Sequence, residues 1–220
     1  MVNISEELSA DLLVKKGEVG FADFKAGLSG IMSEVALTGK NLKIKKFASV
    51  LKNSAITAKG DIKNAFEENP EAKLSIYVNR ASLGDLAGED FFKGLNVSGI
   101  CNAGIMVEGL LSSPAINVFA NVRDLNIGGF KSENNEFVLR YKDNRTVIET
   151  LKINAFDGLA KLSGNYDNKN NYLFLFGNAV DMQFGEILDA AGIAKASGKA
   201  AFSLEIKGPL EDLSLSLIHI

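Results

Sequence analysis

A chain with one histidine and one cysteine has few ways to do chemistry. A Ser–His–acid triad needs a histidine to carry the proton, and His219 stands alone at the far end of the chain. Zinc sites of the usual kinds need clustered histidines or cysteines. Cys101 has no second cysteine to pair with, and its place in an apolar phase between Gly99 and Ala103 reads as a small core residue rather than a reactive thiol. Asp157-Gly158 and Asp167-Asn168-Lys169-Asn170 offer oxygen ligands, but without the spacing of a calcium loop they read as solvated turns. Gly198-Lys199 lacks the upstream glycine and following Ser/Thr of a phosphate loop. Glu67-Glu68 and Glu89-Asp90 fall in a polar loop and at a helix end, where carboxylates are solvated. Asn144-Arg145-Thr146 matches a glycosylation acceptor and carries no catalytic meaning. Residues 172–176, Tyr-Leu-Phe-Leu-Phe, form the most apolar run and read as a strand buried on both faces rather than a cofactor box. The chain is expected to be no enzyme, with no metal and no cofactor.

What remains is a pattern that could position apolar surface. The line from Val97 to Gly109 is written three times, with the other copies starting at Ile4 and Ala196, roughly one hundred residues apart. Side chains of a strand alternate between faces. One face then reads Leu8, Ala10, Leu12, Val14 in the first copy, Cys101, Ala103, Ile105, Val107 in the second, and Ala200, Phe202, Leu204, Ile206 in the third. The opposite face of the third copy is Lys199, Ala201, Ser203, Glu205, Lys207. A helix would scatter both sets, so each copy reads as a strand with one wet face and one dry face. The shared phase implies a shared register, because a one-residue slip would turn every apolar side chain to water.

Between the copies lie short alternating runs. Those at 19–24, 33–38, 41–45, 54–60 and 73–79 belong to the first unit, and Leu74, Ile76 and Val78 of the last face inward. The second unit offers 115–124, 135–142, 146–153, 158–164 and 172–176. Breaks are expected at Gly27, Gly30, Gly39 and Lys52-Asn53. Short helices are expected near 82–92, with Ser82 as cap, and near 183–192. Pro114 and Pro209 follow the marked strand in each unit. The whole chain, 1–220, reads as one continuous repeat region with units 4–96 and 97–195 and an incomplete third, 196–220.

Composition agrees with a β-protein that needs no helical roof. Hydrophobic residues make up 46%, enough for a core, and the net charge of −3 without a basic run excludes nucleic acid as an expected partner. Lys43, Lys45, Lys46, Lys199 and Lys207 fall on the wet faces. No run approaches the ~18 apolar residues of a spanning helix, and the start lacks the shape of a secretory signal, which alone would read as cytoplasmic. Ile4 already opens a repeat copy, so the chain is expected to be a piece of a longer protein. Residues 215–220 are the in-frame translation of a transposon-based sequencing adaptor end (CTG TCT CTT ATA CAC ATC) and read as a library-derived tail, which takes His219 out of the chemistry.

A dozen strands with three or four inward apolar side chains each would leave on the order of tens of kcal/mol of hydrophobic surface uncovered. Two short helices cannot cover it. Either the sheet closes on itself as a sandwich or barrel, or it curls into an open trough lined by a ligand's apolar tails. The closed alternative would make the chain a structural or adhesive β-repeat; a third reading is a scaffold that offers edge strands to unfolded β-barrel clients.

Ser98-Gly99 through Val107-Glu108-Gly109, then Pro114, then Val122-Arg123-Asp124-Leu125-Asn126-Ile127-Gly128-Gly129, resembles the repeat of TamB-like and AsmA-like proteins, as does Ser197-Gly198-Lys199 through Ile206-Lys207-Gly208-Pro209. The resemblance covers nearly the whole chain. The first copy departs from it, with Glu6-Glu7 for Gly-Lys and no following proline. The resemblance implies a mainly β fold: an elongated, curled, antiparallel-rich sheet, a trough or β-taco. It further implies a periplasmic protein tethered to the inner membrane by a helix outside this fragment, phospholipid acyl chains as cargo, and a partner of the BamA type in the outer membrane. The fifteen inward residues named above, Leu8 to Val14, Leu74 to Val78, Cys101 to Val107 and Ala200 to Ile206, are then the expected lining of a lipid groove.

Overall fold

A computed structural model describes residues 9–21, 24–86, 96–128, 130–183, 185, 197–209 and 214–219. Alternating apolar and polar residues give strands almost throughout, in antiparallel pairs. The strands are β1 (Ser9–Val14), β2 (Val19–Phe21), β3 (Phe24–Thr38), β4 (Asn41–Leu51), β5 (Ser54–Lys63), β6 (Glu71–Ser82), β7 (Val97–Leu110) and β8 (Ala115–Ile127). They continue as β9 (Phe130–Lys142), β10 (Arg145–Ala155), β11 (Gly158–Asp167), β12 (Tyr172–Gln183), β13 (Lys199–Pro209) and β14 (Ser214–His219). They pair in chain order in one sheet, with β2 beside β3 and off the main path. Among the described residues no pairing joins β1 to β14, so the sheet is not closed.

The chain divides into two units, residues 1–91 with 101–118 and residues 92–100 with 119–220. Their interiors follow the same plan. β4, β5 and β6 have 11, 10 and 12 residues; β10, β11 and β12 have 11, 10 and 12. β4 carries a bulge between Ile44 and Phe47, and β10 one between Ile148 and Leu151. Tight turns join the hairpins. Asp143-Asn144 and Phe156-Asp157 have positive φ at both positions, the type I′ geometry that matches strand twist.

A second kind of bulge recurs near one end of several strands. Gly30, Arg80, Asp124 and Asp181 have φ between 52° and 59°, and each is followed by a buried apolar residue: Ile31, Ala81, Leu125 and Met182. In β3 and β12 the register shows the extra residue directly, between Ser29 and Met32 and between Ala179 and Met182. The insertion restores the apolar phase after three residues instead of two, and such bulges bend the strand.

Several expectations need correction. Gly27 and Gly30 do not end a strand; both lie inside β3, where Gly30 supplies the left-handed backbone of the bulge. Residues 172–176 are not buried on both faces. Tyr172 and Phe176 are 43% and 50% exposed, because they share a face with polar neighbours while Leu175 points the other way. Of the span 82–92, where a helix capped by Ser82 is expected, Ser82 ends β6, Leu83–Leu86 form a single turn (α1), and residues 87–92 lie outside the described residues. Of the span 183–192, Gln183 ends β12, Gly185 is helical, and the remaining positions lie outside the described residues.

Candidate functional site

Cross-strand partners in an antiparallel sheet share a face, so the registers decide which residues lie together. In the first unit Leu12 pairs with Val35, Val35 with Ile44, Ile44 with Gly60 and Gly60 with Leu74. A second row runs Val14, Ser33, Phe47, Ala58, Ile76. Two contacts orient β7. Lys73 reaches Glu108 at 3.5 Å, and a Cβ on Gly104 would meet the Tyr77 ring at 3.5 Å. Lys73 and Tyr77 lie on the opposite, charged face, so Cys101, Ala103, Ile105 and Val107 share the apolar face with Leu74, Ile76 and Val78.

The second unit builds the same kind of surface. One row is Phe137, Leu151, Leu162, Gly177, Leu204; the next is Leu139, Ile148, Gly164, Leu175, Ile206. Asn135, Ile153, Ala160, Ala179 and Phe202 form a third, and Ala200 pairs with Met182. Ala160, Leu162, Ala179, Met182 and Leu204 make a buried cluster, with Phe202 and Ile206 packed against it. Gly164 and Gly177 lie opposite leucines, where neighbouring backbone leaves no room for a Cβ.

The registers thus place each described residue of the expected lining on the apolar face of its own unit. Leu8 lies outside the described residues. Only Cys101 and Leu204 are buried, at 6% and 9% exposure; the other inward residues of β6, β7 and β13 are half-buried. In the first copy Ala10 is exposed, and Leu12 and the opposite-facing Leu13 are exposed alike, 62% and 61%, because among the described residues β1 has a strand on one side only. Phe137, Leu139, Ile148, Leu151, Ile153 and Leu162 belong to the same surface; alternation marks Leu151 and Ile153 in β10 but not Ile148, which the bulge between Ile148 and Leu151 puts out of phase.

The opposite faces are charged and locally neutralised. Arg140 pairs with Glu149 at 2.6 Å, Lys152 with Glu136, and Lys207 with Glu205 at 2.6 Å. Lys45 hydrogen-bonds Asp11 at 2.8 Å and lies 3.3 Å from Glu34; these hydrogen bonds, Asp11 first, hold its ammonium above the ordinary value. Such exposed pairs set register and solubility more than stability.

Each apolar face carries buried polar groups toward one end. In the first unit Ser49 and Ser54, 4% and 0% exposed, have hydroxyls with no hydrogen-bond partner. In the second, Asn135 (0% exposed) donates from Nδ2 to the Val122 carbonyl at 3.2 Å. The Ser132 hydroxyl lies within bonding distance of both Asn135 Oδ1 (2.5 Å) and the Asn154 carbonyl (2.8 Å), and its single proton serves only one at a time. Beside them opens a cleft of about 820 Å³.

The turn at Asp167 spends its carboxylate locally. It accepts from the Asn170 and Lys169 backbone N–H groups (3.1 and 2.9 Å) and from Asn170 Nδ2 (2.8 Å), which hold its pKa below the ordinary value. Among the described residues no three His, Cys, Asp or Glu side chains converge as a metal site would require, and no helix is long and apolar enough to cross a membrane. Comparison with family models, curated proteins and solved structures finds no match.

Proposed function

We propose that this chain is a segment of an AsmA/TamB-like periplasmic protein whose apolar sheet faces shield phospholipid acyl chains in transit between the inner and outer membranes. The observation that carries this reading is incomplete burial. In a closed sandwich the inward rows are packed nearly as densely as a crystal, whereas here Ala103, Ile105, Val107, Phe202 and Ile206 are only half-buried. Such surface suits a cargo that supplies its own hydrocarbon.

The matched strand lengths and bulges of β4–β6 and β10–β12 support a repeat of about one hundred residues, as a structure that extends by adding units requires. In this reading the full-length protein is tethered to the inner membrane by a segment outside this chain and meets a BamA-type protein at the outer membrane.

Ile105→Asp tests the proposal. In an open groove the new carboxylate stays hydrated, so the variant keeps its far-UV circular dichroism but loses binding of a phospholipid with a fluorescent acyl chain. In a closed core the same change leaves an unpaired buried charge, costs several kcal/mol and unfolds the protein. Unfolding of the variant, or wild-type-like lipid binding by it, contradicts the open groove.

A further inference from the structure

The strand that opens the first unit has a bare edge where its counterpart in the second is covered. β1 and β2 lie on one line along β3. Val14 pairs with Ser33 and Val19 with Leu28, and between them the Gly17 carbonyl accepts from the Ile31 N–H at 3.0 Å. Residues 9–21 therefore act as one interrupted strand that turns into β3, as β8 turns into β9. Both hairpins lead into strands of matching length, β4–β6 and β10–β12. β1 thus holds the place of β8, although its sequence reads as a copy of β7.

β8 has β7 along its other edge. The hairpin they form is closed at its turn by the Ser113 N–H on the Leu110 carbonyl (3.0 Å) and at its far end by the Gly128 N–H on the Asn96 carbonyl (3.1 Å). Covered on both edges, β8 buries Val122 and Leu125, 5% and 7% exposed. Among the described residues nothing pairs with the outer edge of β1, and Leu12 and Leu13 stand more than half exposed. Natural edge strands are guarded by lysine, proline or an inward-pointing charge. Residues 9–14, Ser-Ala-Asp-Leu-Leu-Val, hold no lysine or proline, and Asp11 is engaged by Lys45 at 2.8 Å. Lys15 and Lys16 fall in the interruption between β1 and β2.

Two features select the occupant. Leu12 and Val14 lie on the apolar face, so an added strand must turn an apolar residue to that side at every second position, as Cys101, Ala103, Ile105 and Val107 of β7 do. The strand must also bend. Near the end closed by Asn96 and Gly128, Gly99 of β7 (φ 145°) and Asp124 of β8 (φ 52°) both leave the extended region, and the interruption at 15–18 falls at the matching place along residues 9–21. We infer that the outer edge of β1 is a docking edge for the closing strand of another unit of this repeat, a segment patterned like β7 and added antiparallel as β7 is added to β8. The inference does not depend on what the apolar face carries.

The test titrates the intact chain into a fluorescently labelled peptide with the β7 sequence, Val97–Leu110, and follows anisotropy. Saturable binding is expected, with slowed amide hydrogen exchange within residues 9–14. Two other peptides of the same length should bind at least about tenfold more weakly: one in which each apolar residue is exchanged with its neighbour, which inverts the phase, and one of unrelated alternating sequence without glycine. Leu12→Pro and Leu13→Pro locate the edge. Neighbouring N–H groups of a strand point to opposite edges, so one proline removes a donor from the β3 ladder and the other a donor from the open edge. The variant that keeps the wild-type urea midpoint should bind the β7 peptide about tenfold more weakly; the exchange data stand without either variant. No binding of the β7 peptide, or protection confined to residues outside 9–21, overturns the docking edge. Equal binding by the phase-inverted or the unrelated peptide marks an edge open to any strand and overturns the assignment to the repeat. Each of these results leaves the lipid groove standing.

Discussion

Gly177→Ala is expected to be among the most damaging single-methyl additions in this chain. Gly177 pairs with Leu162 on one side and Leu204 on the other, so it sits in the interior of the sheet. A Cβ there would stand 1.9 Å from the Lys161 carbonyl oxygen, against 3.4 Å for ordinary contact, and the strands would have to part by about 1.5 Å. Side-chain rotation offers no relief, because the obstacle is backbone. Overpacking alone costs about 1–3 kcal/mol, and stretched ladder bonds add about 1 kcal/mol, for a total of about 3 kcal/mol. Gly104→Ala is the control. Its Cβ would lie 3.5 Å from the Tyr77 ring, an ordinary contact, and the lower entropy of the unfolded chain should stabilise it by about 0.5 kcal/mol. Urea unfolding followed by far-UV circular dichroism distinguishes the two. Equal midpoints for the two variants, or a wild-type midpoint for Gly177→Ala, would refute the register on which both apolar faces depend.

Two further outcomes follow from local chemistry. The Asp167 carboxylate has a folded-state pKa below its ordinary value of 3.8, chiefly through hydrogen bonds from Asn170. Its contribution to stability is therefore present above pH ~4 and lost as pH falls through the folded value; thermal melts of Asp167→Ala should diverge from wild type at pH 7 and converge with it at low pH. Cys101 is 6% exposed, and burial pushes its thiol pKa up, so alkylation by iodoacetamide should be at least about a hundredfold slower in the native protein than in urea, and equal rates would place Cys101 in water.

Period-two alternation made much of this architecture legible. It placed Leu74, Ile76 and Val78 on one side, in a run whose pairing with β5 has no register shift, and gave Cys101 through Val107 and Ala200 through Ile206 a common phase; at Ser203 and Leu204 the extra residue lies in β14, not in β13. It failed where a bulge resets the phase. Leu28 to Ile31, Val78 to Ala81, Val122 to Leu125 and Ala179 to Met182 step by three rather than two, and of the intervening residues only Gly30 looked like punctuation, so it read as a break. Residues 172–176 misled for a related reason: an unbroken apolar run has no period, and only pairing with Ser163 and Asn165 reveals that Phe176 and Phe174 face outward. The polar end of the second unit was hidden too. Ser-Glu-Asn-Asn-Glu at 132–136 has the composition of a loop, yet Ser132 and Asn135 are buried inside β9.

The most direct measurement of the central claim is native mass spectrometry of the chain purified from bacterial membranes in mild detergent. An apolar face left half-buried for cargo should retain phospholipid, seen as mass increments of one or more lipids that disappear on organic extraction. A spectrum of lipid-free protein, from a preparation whose sheet is intact by circular dichroism, would mean that the two faces are covered by protein alone and that no groove exists.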